Sequence, residues 1–249
     1  MIILYLLYNF LYFPILIINL YYSMSRIVNK KVKSDLKIVI VGNSGTGKTS
    51  FCTRWVKDTF TDNYKATIMS EFSYRIYEYY GNYYKIQFWD IAGQDKNVYT
   101  SKVFTKDAHG CIILCDITNQ DTLEATLKWK KAIDENALFK DGGILPCVLV
   151  QNKIDLVSEN ELGNDEEVRQ FGEKNGYINF FRTSAKTGLG VNECMDYLIK
   201  TIIERLEEYA KKNPNALVDD ANRTSIVKIQ QPKKDTTNML NQSKCCGMI

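Results

Sequence analysis

Short apolar runs alternate with amphipathic stretches along most of this chain. Residues 37–41 (KIVIV), 110–116 (GCIILCD) and 147–151 (CVLVQ) are continuous and rich in β-branched side chains. Runs of that length and content are what strands covered on both faces look like. A further apolar run lies at 178–181, and 71–90 holds two aromatic-rich extended runs around Gly81 and Asn82, a two-residue hairpin signal. Helices are expected over 50–60, 121–139 and 165–174. The last helix is the clearest, because Val191, Met195, Leu198, Ile202 and Leu206 repeat at spacings of three and four. Strands alternating with helices predict an α/β fold: a mostly parallel six-stranded sheet with one antiparallel edge hairpin and about five flanking helices. Ligands then belong at the C-terminal ends of the strands. The polar stretch 61–70 reads as an exposed loop, and beyond Lys211 the periodicity stops. Residues 212–249, rich in Asn, Gln, Lys, Asp and Thr, read as a flexible tail.

The stretch 36–50, LKIVIVGNSGTGKTS, organises the rest. An apolar strand breaks at Gly42 into a Gly-rich turn that ends in Lys48, Thr49 and a helix start. That is the GxxxxGK[ST] pattern of a P-loop NTPase, in which backbone N–H groups fold inward around a polyphosphate. The helix beginning near Gly47 adds its unpaired N–H groups and the positive end of its dipole. Lys48 then reaches the β- and γ-phosphate oxygens, and the Thr49 hydroxyl ligates Mg²⁺. By itself the motif leaves ATP and GTP equally open.

Three further motifs stand at the ends of later strands. Asp90-Ile-Ala-Gly93-Gln94 follows the second hairpin strand, beside the phosphate loop. Asp90 suits the hydration shell of Mg²⁺, the Gly93 N–H suits a γ-phosphate oxygen, and Gln94 suits the orientation of an attacking water. Asn152-Lys153-Ile-Asp155 closes the CVLVQ strand, and Thr183-Ser184-Ala185-Lys186 follows the next run. Guanine offers N1–H and a 2-amino group side by side, which a carboxylate at Asp155 accepts bidentately; adenine offers no such pair and would leave a buried carboxylate unmatched. Asn152 is placed to tie neighbouring loops, Lys153 to lay its stem along the purine, and the Ala185 N–H to meet O6. Thr67, in the loop before the hairpin, is a plausible second protein ligand for Mg²⁺ while a γ-phosphate holds that loop closed. Phe60, at the start of the loop, is either core or a stacking partner at the base edge.

Composition narrows the rest. The 249 residues suffice for one domain with appendages, and a net charge of +3 with both signs dispersed gives no electrostatic case for a nucleic-acid partner. Five of the seven cysteines, Cys52, Cys111, Cys115, Cys147 and Cys194, sit singly inside apolar patterns, as reduced core cysteines do. The single histidine, His109, precedes an apolar strand and reads as packing. Residues 1–22 are uncharged and long enough to cross a bilayer, yet Pro14, Asn9 and Asn19 weaken a spanning helix. The expected division is therefore an N-terminal extension over 1–23, with Met24 the start of the working protein, a domain over 33–211 and a tail over 212–249.

Four motifs in one order, GNSGTGKT, DIAGQ, NKID and TSAK, make the chain resemble a Ras-superfamily small GTPase over residues 36 to about 208. YKATI, WDIAGQ, the AHG strand start, DITNQDT and the terminal Cys245-Cys246 resemble the Rab family most, and WDIAGQ with LEATLKWKKAID and NGYINFFRTSAKTGLGVNE resembles its subgroup serving lysosome-related and phagosomal organelles. The resemblance implies nucleotide contacts from Asn43, Ser44, Gly45, Thr46, Gly47, Lys48, Thr49 and Ser50. It further implies base stacking by Phe60, loop closure by Tyr64 and Thr67, γ-phosphate sensing by Gly93 and water positioning by Gln94. Base reading falls to Asn152, Lys153, Asp155, Ser184, Ala185 and Lys186, and Mg²⁺ to Thr49, Thr67 and Asp90. An aromatic trio of the Rab effector surface falls on Phe72, Trp89 and Phe104. Departures lie in the switches, where Met69-Ser70-Glu71 and Asp95-Lys96-Asn97 replace the usual steps.

Cys245-Cys246-Gly-Met-Ile reads as a double geranylgeranylation signal or a CaaX frame opened by Cys246. Two lipid chains anchor stably where one does not. The expectation is a GTP/GDP switch with slow intrinsic hydrolysis, lipid-anchored on the cytosolic face of an endomembrane. It would be served by an exchange factor, a GTPase-activating protein, effectors, a prenylation escort and a GDP-dissociation inhibitor. A non-cycling adaptor that holds nucleotide permanently, an ATP-using P-loop enzyme and a protein anchored by residues 1–22 are the alternatives.

Overall fold

The apolar runs become neighbouring strands. A computed structural model describes residues 29–62, 67, 71–92, 102–214 and 226–228. Along it run β1 (Asn29–Val41), α1 (Lys48–Lys57), β2 (Glu71–Tyr79), β3 (Asn82–Asp90) and the single turn α2 (Lys102–Thr105). After these come β4 (Gly110–Asp116), α3 (Gln120–Asn136), β5 (Cys147–Asn152), α4 (Asp165–Lys174), β6 (Asn179–Thr183), α5 (Val191–Lys212) and β7 (Ile226–Lys228). Six strands form a sheet in the order β2-β3-β1-β4-β5-β6, antiparallel only between β2 and β3. This is the mixed sheet with one edge hairpin that the alternation of periods predicts.

Burial follows the apolar runs. Val39, Ile40, Cys111 to Leu114 and Cys147 to Val150 have no solvent exposure, and on α5 the stripe Cys194, Met195, Leu198, Ile199, Ile202 packs just as deeply. Each such aliphatic side chain contributes about 1.5–3 kcal/mol relative to leaving it in water. The cysteines Cys52, Cys111, Cys115, Cys147 and Cys194 are buried free thiols, and burial pushes the Cys115 thiol up to about 12. His109 extends a ladder: its N–H donates to the Lys37 carbonyl at 2.8 Å, and its Nδ1 accepts the Lys37 N–H at 3.1 Å.

Several boundaries differ from the pattern. The hairpin turns on Tyr80 and Gly81, not Gly81 and Asn82, because Tyr79 pairs with Asn82. Both turn residues have positive φ, 46° and 71°, as the right-handed twist of a two-residue hairpin demands, and the exposed Tyr80 tolerates it. Helix α1 stops at Lys57 instead of 60, since Asp58 turns left-handed (φ 53°) and returns its N–H to the Arg54 carbonyl. Helix α3 ends at Asn136, because Leu138 bridges to Ile144 and so takes the chain into an extended turn.

By their internal contacts residues 32–224 form one compact unit, to which the four nucleotide motifs belong, and residues 1–31 with 225–249 form another. Within the second unit Asn29, Lys30 and Lys31 pair antiparallel with Lys228, Val227 and Ile226, so a short strand lies inside the stretch expected to be tail. The extension 1–23 lies outside the described residues. Among the described residues, no helix is long and apolar enough to cross a membrane.

Candidate functional site

Strand register brings the motifs to one edge. Ile40 of β1, two residues before Gly42, pairs with Asp90 of β3, while Asp116, Asn152 and Thr183 stand in one row across β4, β5 and β6. The loop after β1 depends on two glycines for its path. A Cβ on Gly42 (φ 145°) would stand 2.2 Å from the Leu114 carbonyl oxygen, and one on Gly47 (φ 94°) would stand 2.4 Å from Asn152 Nδ2. Only a residue without a side chain lets the loop pass so close to β4 and β5.

Inside the loop, the buried Lys48 ammonium donates to the carbonyls of Gly42 and Asn43, each at 2.9 Å. Burial holds it below the ordinary lysine value, against the pull of Asp90. Thr46 is buried and its hydroxyl donates to the Asn43 carbonyl at 2.9 Å, whereas Ser44 and Gly45 are exposed at the loop's crown. The Trp129 indole N–H of α3 donates to Asn43 Oδ1 at 3.1 Å and so fixes the loop from behind.

Three oxygens meet where the first helix, the loop before β2 and the end of β3 approach one another. The Thr49 hydroxyl lies 2.8 Å from the Thr67 hydroxyl and donates to Asp90 Oδ2. Asp90 Oδ1 is buried with no hydrogen-bond partner among the described residues, and burial holds the carboxyl above the ordinary aspartate range despite Thr49 and Lys48. A buried anionic oxygen lacking a donor, beside two hydroxyls, is the hard-oxygen environment that Mg²⁺ takes. The residues fit the ion. Among the described residues no group of three or more His, Cys, Asp or Glu is placed to hold a metal ion.

At the other end, Asn152 is buried and ties two loops together. Its Nδ2 donates to the Thr46 carbonyl at 2.9 Å, and its Oδ1 accepts the Thr183 hydroxyl at 3.0 Å and the Ala185 N–H at 3.2 Å. The Ala185 N–H is thus already engaged, and a purine O6 would compete with Asn152 for it. Lys153 is left-handed (φ 68°), which throws the chain into a 3₁₀ turn, Ile154–Leu156. Its ammonium meets Asp116 Oδ2 at 2.6 Å. Asp155 is exposed, on a single helical turn at the rim of the site. Its Oδ1 accepts the Ser184 hydroxyl at 2.5 Å, and Ser184 Oγ in turn accepts the Thr187 N–H at 3.0 Å. Lys186 pairs with Asp62 at 3.5 Å, and Ser50 sits half-buried on α1. Phe60 is half-buried against the central core. Tyr64, Gly93, Gln94, Cys245 and Cys246 lie outside the described residues.

A family model described as "Ras family" matches residues 37–204. Ras-related protein Rab-32 of Homo sapiens is 31% identical over 211 residues, 84% of this chain and 88% of that protein. Ras-related protein Rab-7L1 of Homo sapiens is 32% identical over 69% of this chain and 84% of its own length, and Ras-related protein Rab-32C of Dictyostelium discoideum is 33% identical over 79% and 86%. The chain belongs to the Rab branch of the Ras family. As a Rab-type small GTPase it is a GTP hydrolase and a GTP/GDP switch in vesicle trafficking, and the adaptor alternative is not favoured.

In this Rab-type domain some residues that shape the site escape a motif reading. Burial opposes ionisation of Asp116, yet the Lys153 ammonium and the Thr118 hydroxyl and N–H hold its carboxyl below the usual range. It fixes Lys153 from the end of β4, and the only trace in the sequence is an acidic residue closing an apolar strand. Trp129 and Arg54 act on the loops from helices α3 and α1, and nothing in their spacing distinguishes them from core and surface. Of the aromatic trio, Phe72 (51% exposed) and Trp89 meet edge to face with centroids 5.7 Å apart, whereas Phe104, on α2, packs against the core.

Proposed function

We propose that residues 42–50 cradle the phosphates of GTP and GDP, that Thr49, Thr67 and Asp90 hold Mg²⁺, and that Asn152, Lys153, Asp155, Ser184, Ala185 and Lys186 read guanine. One observation carries most weight: Thr49, Thr67 and Asp90, from three separate segments, converge with an orphaned carboxylate oxygen beside Lys48. Bound there, Mg²⁺ supplies positive charge against the β- and γ-phosphate oxygens. Lys48 exchanges its loop carbonyls for phosphate oxygens, and loop N–H groups stabilise the charge that develops as water attacks in line. Thr67 reports the γ-phosphate, its hydroxyl standing within reach of Thr49 and of the magnesium position. Gln94 positions the water and Gly93 senses the γ-phosphate. Replacing Gln94 by Leu should slow single-turnover GTP hydrolysis at least about tenfold, with mant-GTP affinity within about twofold of the parent. Unchanged turnover would remove the water-positioning role.

The domain is bounded at 33–211, preceded by the 1–23 extension and followed by the 212–249 tail. Cys245 and Cys246 carry geranylgeranyl groups, and the tail charge, six Lys and Arg against three Asp, adds attraction to an anionic leaflet. The protein then sits on the cytosolic face of an endomembrane, with lysosome-related, phagosomal or endosomal membranes favoured by the subgroup resemblance of WDIAGQ, LEATLKWKKAID and NGYINFFRTSAKTGLGVNE. An exchange factor, an activating protein that supplies an arginine, an escort and a GDP-dissociation inhibitor complete the cycle, and effectors engage Phe72, Trp89 and Phe104. The intact mass of the C-terminal peptide from cells should show two added isoprenoid chains; an unmodified peptide sinks the anchor.

A further inference from the structure

Arg54 projects from the last full turn of α1, the helix that begins with Lys48 and Thr49. Its guanidinium ends on the other side of the site. Nε donates to the Ala185 carbonyl at 2.9 Å and Nη2 to the Lys186 carbonyl at 2.6 Å, more than 130 residues along the chain. Nη1 donates to the carbonyl of Asp58 at 3.1 Å and to its carboxylate at 3.0 Å. The side chain is only 15% exposed while Asp58 is 92% exposed, and its methylenes run past Gly188, where a Cβ would lie 3.6 Å from Arg54 Cδ. Four of the five donors in a planar fork are therefore used. The Trp55 carbonyl, next along the helix, accepts Arg75 of β2 at 2.7 Å, so this turn is held from both sides.

Backbone carbonyls 185 and 186 belong to the loop whose N–H and side chains are proposed to face the base. The four hydrogen bonds of Arg54 all go to protein atoms, two of them to this loop and two to Asp58 at the end of α1. We infer that Arg54 is a positioning residue for guanine: it clamps the base-reading loop to the helix that carries the phosphate and magnesium ligands, and so sets how long nucleotide stays bound. The inference rests on the base-reading role proposed above. Its consequence is that any displacement of the α1 end or of Asp58, which leads into the loop 59–67, loosens the base loop without touching magnesium. Charge-assisted hydrogen bonds to two consecutive carbonyls hold a loop far more firmly than one neutral bond, because orientation and position are both fixed.

The test is release of mant-GDP from the full chain in excess Mg²⁺ and after EDTA, for the parent and for Arg54→Ala, Arg54→Lys and Asp58→Ala. Arg54→Ala should release nucleotide about tenfold faster or more, the equivalent of one lost charge-assisted hydrogen bond. Arg54→Lys should fall between it and the parent, and Asp58→Ala should stay within about twofold, because the two carbonyl contacts remain. The factor by which EDTA accelerates release should be the same in parent and variants, as it must be if the base end alone is loosened. Release from Arg54→Ala within twofold of the parent overturns the inference, as does an EDTA factor that shrinks, which would place the effect at the phosphate end. An Asp58→Ala effect equal to that of Arg54→Ala overturns it too, by assigning the role to the helix terminus. A parent chain that retains no mant-GDP takes down the nucleotide reading itself, whereas a retaining parent with an unaltered Arg54→Ala defeats only the clamp.

Discussion

Asp155→Asn should exchange guanine for xanthine. The carboxylate is expected to accept N1–H and the 2-amino group together, and an amide at the same place presents one donor and one acceptor to that pair of donors. Guanine then meets an N–H where it needs an oxygen, while xanthine, with a carbonyl at C2, is matched. A site built on such a pair discriminates by about 10⁴ when one partner is wrong, so GDP affinity should fall by at least about 10³-fold. Xanthosine diphosphate should bind the variant at least about tenfold tighter than GDP. The geometry favours a clean result, because Ser184 donates to Asp155 Oδ1 at 2.5 Å and can donate equally to an amide oxygen. The 3₁₀ turn is closed by Leu156 N–H to the Lys153 carbonyl at 3.0 Å and does not depend on the carboxylate. Competition titration against mant-GDP measures both affinities; a variant that still prefers GDP over xanthosine diphosphate removes Asp155 from base reading.

The chemistry was legible in the sequence to the extent that it sits in contiguous tetrapeptides at strand ends. Gly42 to Thr49, Asn152 to Asp155 and Thr183 to Lys186 need only a correct strand before each, and continuous apolar runs mark those strands. Asp90 was legible for the same reason, as the polar end of a strand whose buried positions Tyr84, Ile86 and Phe88 alternate. What stayed hidden depends on reach across the fold. Nothing local tells Arg54 from any other helix-end arginine, or Trp129 from a core tryptophan, until α1 lies beside the loop after β6 and α3 behind Asn43.

Boundaries failed where tertiary contacts override local preference. Strand β1 begins well before the apolar run, because Val32, Ser34 and Asp35 pair with Tyr83, Tyr84 and Lys85 of β3 although Lys, Ser and Asp are poor strand formers. Lys33 lies 5.7 Å over the Tyr84 ring and meets Glu207 of α5 at 2.9 Å, contacts that no window of sequence contains. The hairpin register slipped by one for a related reason. Asn-type residues are expected in the left-handed positions of a turn, yet Tyr80 takes one of them, and Asn82 is left to pair with Tyr79 and to donate from its amide to the Tyr80 carbonyl at 3.3 Å.

Thr49→Ala should uncouple nucleotide binding from magnesium. The hydroxyl is the hub of the polar cluster: it donates to Asp90 Oδ2 and lies 2.8 Å from the Thr67 hydroxyl. Removing it deletes one expected ligand, strips a donor from a buried carboxylate whose other oxygen has no partner among the described residues, and breaks the contact between Thr49 and Thr67. Three penalties at one atom make a large effect, and mant-GDP release in excess Mg²⁺ should rise by about 10²-fold. GTP should lose more affinity than GDP if, as proposed, Thr67 joins the magnesium shell in response to the γ-phosphate. The distinguishing readout is EDTA: it should hasten release strongly in the parent and hardly at all in Thr49→Ala, where the metal's contribution is already gone. The Arg54→Ala clamp variant should behave in the opposite way, releasing faster yet keeping its full response to EDTA. A Thr49→Ala protein that still responds to EDTA as the parent does would show that magnesium is held elsewhere, and with it the assignment of Thr49, Thr67 and Asp90 would fall.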